Sequence, residues 1–323
     1  MFDYIRIQLV QPCQAKCQWC STHKKNKPFQ NLINHDQADD FHEMYLQTID
    51  RYRPKEVFIS GGEPLLYPQI ESFLNEISGK VEQINLFSSY QFSTRTMDRL
   101  ASMDLPPNLV LNHTPIYFEP QRWHRLTQGF PFEVYLKNIR KAVLLKVKKR
   151  FKFIVNHNSL EKELERFVEL VQPNATCEIT FKMMNDQGNG MLVDVMKATA
   201  HRVLERLGKL DSLLEEQPKL SSKRAKTSID WMKPVIETGD VSKCVYRQKP
   251  MELRLAFYKG TLDKKVLKYR YCPYFPPDFG HKFHVGKTDL YRLERDFHKG
   301  NFRDHCNRCR LLHYRDEEPN LVS

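Results

Sequence analysis

The sequence predicts an α/β fold, a partial (β/α)6 barrel followed by a small C-terminal domain built around a β-hairpin, and three observations carry that prediction. From residue 4 onward, short runs of β-formers alternate with amphipathic segments. Near residue 209 the alternation stops and a polar, basic, proline-containing stretch begins. Beyond it, two β-rich runs flank "KGTLDK", which has the composition of a hairpin turn.

The elements follow in order. "YIRIQLV" (4–10) reads as a strand running into a cysteine-bearing loop. A helix is expected over 37–52, opening at Asp36, and "EVFIS" (56–60) is the second strand, ending at the turn "GGEP". A helix over 68–78 comes next. "QINLFSS" (83–89), "NLVLNHT" (108–114), "RFKFIVNHN" (150–158) and "ATCEITFKMM" (175–184) supply four more strands. Amphipathic stretches at 94–102, 133–148, 160–171 and 191–207 fit helices between and after them. Strands that alternate with helices imply a parallel sheet, whose site belongs at the strand C-terminal ends. Three units result: a barrel over 1–208, a bridge over 209–240 and a C-terminal domain over 241–323, with the hairpin at 251–272.

Composition narrows the function classes. The 323 residues include 41% hydrophobic ones, enough for one large core with a smaller appended domain. No basic segment followed by a long apolar run opens the chain, and no apolar run reaches membrane-spanning length. A cytoplasmic location without membrane contact is the expectation. In that compartment eight cysteines are thiols for metals or catalysis rather than a disulfide scaffold. A net charge of +12 suits an acidic partner, and a solvated lysine-rich surface accounts for it equally well.

Three of the thiols crowd into "PCQAKCQWC" (12–20), as Cys13, Cys17 and Cys20. Iron–sulfur clusters are held by cysteine thiolates, one per iron in a cubane of four irons, so three cysteines would leave one iron open to a small molecule. Zinc is the alternative, with His23 as a fourth ligand.

This spacing, CxxxCxxC after the first strand with Trp19 before the last cysteine, resembles the motif of the radical S-adenosylmethionine (radical SAM) family. "SGGEP" (60–64) at the end of the second strand is similar to that family's backbone cradle for the methionine amino group, with Gly61 and Gly62 allowing close approach and Glu63 nearby. The resemblance covers roughly residues 4–190. It implies a [4Fe-4S] cluster on Cys13, Cys17 and Cys20, S-adenosylmethionine chelating the open iron, and reductive cleavage to a 5'-deoxyadenosyl radical that abstracts hydrogen from a C–H bond. It also implies nucleoside contacts from Ser88, Ser89 and Asn112, and a flavodoxin- or ferredoxin-type reductant. The family's glycine-rich motif on the sixth strand is missing from "CEITFKMMND".

Cys244, Cys272, Cys306 and Cys309 make a second set around the hairpin. Four cysteines with a CxxC pair commonly hold structural zinc. Here they resemble the twitch subdomain, related to SPASM, that binds an auxiliary [4Fe-4S] cluster in some radical SAM enzymes. A cluster with a thiolate on every iron serves electron transfer or structure, which favours an oxidative outcome.

The resemblance therefore implies a radical SAM oxidoreductase acting on a peptide, as in ribosomal peptide modification, or on a polar small metabolite. The alternatives are an aminocyclitol- or sugar-type dehydrogenase, a peptide epimerase, and a nonenzymatic zinc protein that binds nucleic acid, the least favoured partner. No catalytic acid, base or hydrogen donor is identifiable. Asn156 and His157 close the fifth strand; Tyr90, His113, Tyr117, Lys182 and Asn185 lie near strand C-terminal ends and could line a pocket. "HKKNKPF" (23–29) could meet an acidic group, and Cys177, at the start of the sixth strand, reads as a core cysteine on the barrel floor.

Overall fold

The structure is a computed structural model of the chain. It describes residues 4–9, 13, 14, 17, 35–115, 117–127, 129–154, 160–170, 177–182, 238, 240, 243, 253–255, 266–269 and 281–284. Its strands are β1 (Tyr4–Gln8), β2 (Glu56–Ser60), β3 (Gln83–Phe87), β4 (Leu109–His113), β5 (Lys148–Ile154), β6 (Cys177–Lys182), β7 (Leu253–Leu255), β8 (Val266–Tyr269) and β9 (His281–His284). The helices are α1 (His35–Tyr52), α2 (Ile70–Ser78), α3 (Thr94–Ser102), α4 (Pro120–Thr127), α5 (Phe132–Val143) and α6 (Leu160–Leu170).

β1 to β6 lie side by side in chain order, every pair parallel, as the alternating pattern requires. Each strand adds on the same side of the one before, so right-handed crossovers put the helices on one face. The burial pattern agrees. Ile5, Ile7, Val57, Ile59, Ile84, Leu86, Leu109, Leu111, Phe151, Phe153, Cys177 and Ile179 take alternate positions and join a single apolar core with Tyr45, Phe73, Leu74, Ile77, Tyr135 and Phe167 from the helices. Among the described residues the sheet is open, with β6 at one edge and β7 at the other.

Boundaries differ from the sequence reading where charge hides the pattern. α5 stops at Val143 and β5 begins at Lys148, although the expected helix runs to 148. "KVKKRFKF" is a strand whose alternate positions are basic, so its apolar period reads as helical until the two faces are separated. Lys149 is buried on the helix face, donating to the Leu145 carbonyl at 2.6 Å, and burial pulls its ammonium pKa down. α4 was not expected at all. It begins at Pro120, whose fixed φ suits a helix start, and is held by Trp123 stacked on Tyr135 with ring centroids 3.9 Å apart.

Of the hairpin expected over 251–272, the described residues give β7 and β8 but not the turn between them. β7 joins β1 in parallel, with Leu253 beside Ile5, while β8 pairs antiparallel with β9. β1 would otherwise present a row of unpaired backbone groups at the sheet edge, which β7 satisfies. The helix expected at 191–207 and the bridge at 209–234 lie outside the described residues.

Cys177 is buried on the helix face at the start of β6, away from the strand C-terminal ends, as a core cysteine should be. Burial pushes its thiol up to about 11, against the pull of Lys149. In the folded protein Cys177 should therefore resist iodoacetamide up to about pH 9 and react at once in denaturant, as mass spectrometry of the labelled peptide would show. Alkylation of the folded chain at pH 8 would contradict the burial.

Candidate functional site at the strand C-terminal ends

β1 delivers the cysteine loop directly to the sheet's C-terminal side. Its ladder runs one residue past the strand, Leu9 N–H donating to the Ser60 carbonyl at 2.8 Å. Cys13 and Cys17 follow, both half-buried. Cys177 is the remaining described cysteine; Trp19, Cys20, His23 and residues 24–29 lie outside the described residues, as do Cys244, Cys272, Cys306 and Cys309. Among the described residues no three potential metal ligands converge.

The Cys17 thiol donates to Gln91 Oε1 at 3.4 Å. Gln91 belongs to the loop after β3, and that loop is bound on every side. Its backbone N–H donates to Ser89 Oγ at 3.2 Å, and the Ser89 hydroxyl and N–H both donate to Glu63 Oε2, at 2.7 and 2.9 Å. Glu63 Oε1 accepts from Leu65 N–H at 3.3 Å, capping the short 3-10 turn Pro64–Leu66. The "GGEP" turn, the loop after β3 and the cysteine loop are thus one hydrogen-bonded unit. Glu63 is wholly buried and turned into this unit, whereas Gly61, Gly62 and Ser89 keep partial exposure. Burial pushes the Glu63 carboxyl up, against the hydrogen bonds from Ser89 and Leu65 that pull it down.

Tyr90 turns the loop. Its φ of 54° lies in the left-handed region, which costs a side-chain-bearing residue roughly 1 kcal/mol or more. The turn is held by Tyr90 N–H donating to Ser88 Oγ at 3.0 Å and by Asn138 Nδ2 donating to the carbonyls of Tyr90 and Phe92, at 3.0 and 2.8 Å.

His113 and Tyr90 do not line a pocket but lie in the core beneath this loop, both buried. His113 Nδ1 bonds the Ser88 carbonyl and Nε2 the Tyr135 hydroxyl, each at 2.9 Å. A carbonyl can only accept, so Nδ1 carries the proton and Nε2 accepts from Tyr135, whose phenol is pushed well above its usual range by burial. Tyr117 is also buried, under the Arg122 guanidinium. Lys182 ends β6; Asn156, His157 and Asn185 lie outside the described residues.

The sheet face opposite the helices is polar, and Asn112 sits at its centre. In register across it stand Arg6, Phe58 and Asn85, then Phe87, Asn112, Arg150 and Glu178. Glu56 Oε2 accepts from Asn85 Nδ2 at 2.9 Å, so Asn85 Oδ1 must be the acceptor for Asn112 Nδ2, at 3.3 Å. Asn112 Nδ2 also donates to the Val110 carbonyl at 3.0 Å. Both partners lie toward the strand N-terminal ends, which turns Asn112 Oδ1 toward the C-terminal ends. Among the described residues that oxygen is buried without a hydrogen-bond partner. A buried acceptor left open is costly unless something donates to it, and a hydroxyl of a bound nucleoside would do so.

The same face carries an aromatic floor with cations beside it. Phe58 and Phe87 stack at 6.0 Å. The Arg6 guanidinium lies 5.4 Å from Phe58 and 5.8 Å from Phe87, and Lys152 Nζ lies 4.3 Å from Phe87 on its other flank. Arg150 is paired with Glu178 at 3.0 Å. The sequence reading missed Gln91, Asn138, Glu56, Asn85, Arg6 and Lys152. Polar residues at every second position of strands whose other positions are apolar would have found the last four; nothing local marks Gln91 or Asn138.

The donor set fits the cofactors implied. Two thiols stand on the loop that leaves β1, Gly61, Gly62 and Ser89 are partly exposed at the strand C-terminal ends beside it, and Asn112 keeps an unsatisfied acceptor on the face opposite the helices.

Comparison with known proteins gives the family and the fold. The model of the Radical SAM superfamily matches residues 7–171. GTP 3',8-cyclase of Listeria welshimeri is 25% identical over 145 residues, 43% of this chain and 41% of that protein, so the match spans about two fifths of the relative's length. Streptococcus suis SuiB shares the fold in two structures. Bound to S-adenosylmethionine it gives a TM-score of 0.62 at 14% identity, over 97% of this chain and 71% of that one. Bound to its precursor peptide SuiA it gives 0.61 at 16% identity, over 97% and 70%.

Proposed function

The chain belongs to the radical SAM superfamily, and from that premise we propose that it reductively cleaves S-adenosylmethionine and uses the product to abstract hydrogen from a C–H bond of a substrate bearing an acidic group. The observation that carries the reading is the single hydrogen-bonded unit of the cysteine loop, the loop after β3 and the "GGEP" turn. Cys13, Cys17 and Cys20 would hold a [4Fe-4S] cluster. Gly61, Gly62, Ser88, Ser89 and Asn112 would hold the nucleoside, with Glu63 keeping the loops in place and Trp19 beside the cluster. When bound, cluster and nucleoside together supply 5'-deoxyadenosyl radical chemistry. The protein's part is to orient the ligands and exclude water, which the buried loop after β3 and the aromatic floor are built to do.

The substrate reading rests on charge. Among the described residues the face opposite the helices carries Arg6, Lys148, Arg150 and Lys152 against the carboxylates Glu56 and Glu178. A cationic excess inside a site favours an acidic peptide, and the SuiB structure with a precursor peptide supports that choice. The similarity to GTP 3',8-cyclase favours the second reading, an anionic small metabolite such as a nucleotide. Cys244, Cys272, Cys306 and Cys309 are proposed ligands of an auxiliary [4Fe-4S] cluster, which would make the outcome an oxidation. A flavodoxin or ferredoxin would supply the electron, and the reaction is placed in the cytoplasm. No helix among the described residues is long and apolar enough to cross a membrane.

Anaerobically purified protein should be brown, carry about eight irons per chain at four per cubane, and release 5'-deoxyadenosine from S-adenosylmethionine under dithionite. Colourless protein with stoichiometric zinc and no cleavage would replace this reading with the nonenzymatic one.

A further inference from the structure

Resting on the assignment of Cys17 to the first cluster, we propose that Gln91 donates a hydrogen bond to the Cys17 thiolate, setting the cluster's reduction potential and tying it to the nucleoside cradle. Gln91 is buried, and among the described residues its side-chain amide bonds nothing but Cys17. In the structure the thiol donates and Gln91 Oε1 accepts. An iron-bound cysteine has lost that proton, so its sulfur can only accept. The amide meets this requirement by half a turn about its last torsion, which is soft, and the turn exchanges two atoms of nearly equal size. Nε2–H then faces the sulfur with no other hydrogen bond broken.

Two consequences follow from what surrounds Gln91. A donor to a cluster sulfur offsets part of the extra negative charge of the reduced state, which makes reduction easier. The donor is also held from the nucleoside side, because Gln91 N–H is fixed to Ser89 Oγ and through it to Glu63. Gln91 is thus a positioning and tuning residue, with no contact to the reacting atoms.

The test is an EPR-monitored redox titration of the full chain, following the cluster signal that shifts on adding S-adenosylmethionine. Gln91→Met keeps the bulk and removes the donor; Gln91→Glu keeps the shape and offers only acceptors. Gln91→Met should make one-electron reduction about tenfold less favourable, about 59 mV lower at one electron. Gln91→Glu should lower it further. Midpoints equal to wild type in both variants overturn the inference, and so does failure of both folded variants to assemble the cluster that responds to S-adenosylmethionine, since assembly does not need a tuning bond. A wild-type chain with no such signal sinks the cofactor assignment itself and this inference with it, whereas a wild-type signal with unmoved midpoints sinks the inference alone.

Discussion

With Cys13, Cys17 and Cys20 all replaced by alanine, the chain should fold and release no 5'-deoxyadenosine above an enzyme-free control. The loss is on the order of 10⁶-fold, the scale of enzymic acceleration itself, because no other described group can deliver the electron to the sulfonium. The fold should survive, since neither Cys13 nor Cys17, the described members of the three, belongs to the apolar core. Compared with the metal-free wild type, unfolding should move by no more than about 2 °C, as for substitutions outside the core. Alanine at Cys244, Cys272, Cys306 and Cys309 provides the contrast: cleavage persists while product from substrate is lost. Cleavage by the triple variant at the wild-type rate would remove the cluster from those three positions.

Glu63→Ala should do the reverse, costing stability and activity together. Two backbone N–H groups and the Ser89 hydroxyl would lose their acceptor inside the protein. At about 1–3 kcal/mol for each buried group left unsatisfied, partly recovered by relaxation, the total is about 3 kcal/mol. The melting temperature should fall by about 5–10 °C. Cleavage should fall by at least about a hundredfold, since the cysteine loop and the glycine turn are then no longer held together and misplacement of about 1 Å costs that much.

A pH arm tests the state of the carboxyl. Burial raises the folded pKa of Glu63 above its unfolded value. The folded state then holds a proton the unfolded state has given up, so the group's contribution to stability is full below the unfolded pKa and declines as pH rises through the folded one. Glu63→Gln cannot titrate, so the stability gap between wild type and this variant should widen from pH 7 toward pH 4.5 in paired chemical denaturation. A gap that narrows would mean that the three donors outweigh burial.

The order of β1 to β6 was legible because short β-forming runs such as "EVFIS" and "QINLF" alternate with segments whose apolar positions repeat every third or fourth residue, as in α2 and α6. α3 was legible to the residue because Ser93 caps it, its hydroxyl accepting from Thr96 N–H. Legibility failed where a strand carries charge on one face, as in β5, and where a partner is remote in sequence, as for β7. The site divides in the same way. Cys13, Cys17 and the "GGEP" turn are local spacings and can be read directly. The bond from Gln91 to Cys17 joins residues 74 apart, and that from Asn138 to the Tyr90 carbonyl residues 48 apart. Neither has any counterpart in spacing, because each depends on how the loop after β3 turns back over the sheet.

β7 closing the sheet beside β1 has a consequence for biosynthesis. The strand that feeds the cysteine loop, Tyr4–Gln8, leaves the ribosome long before its outer neighbour, Leu253–Leu255. At about 5–20 residues per second, that edge waits roughly 10–50 s for its complement. Nascent chains stalled before residue 253 should therefore be the ones that chaperones capture, and insertion of iron is best timed after β7 has docked.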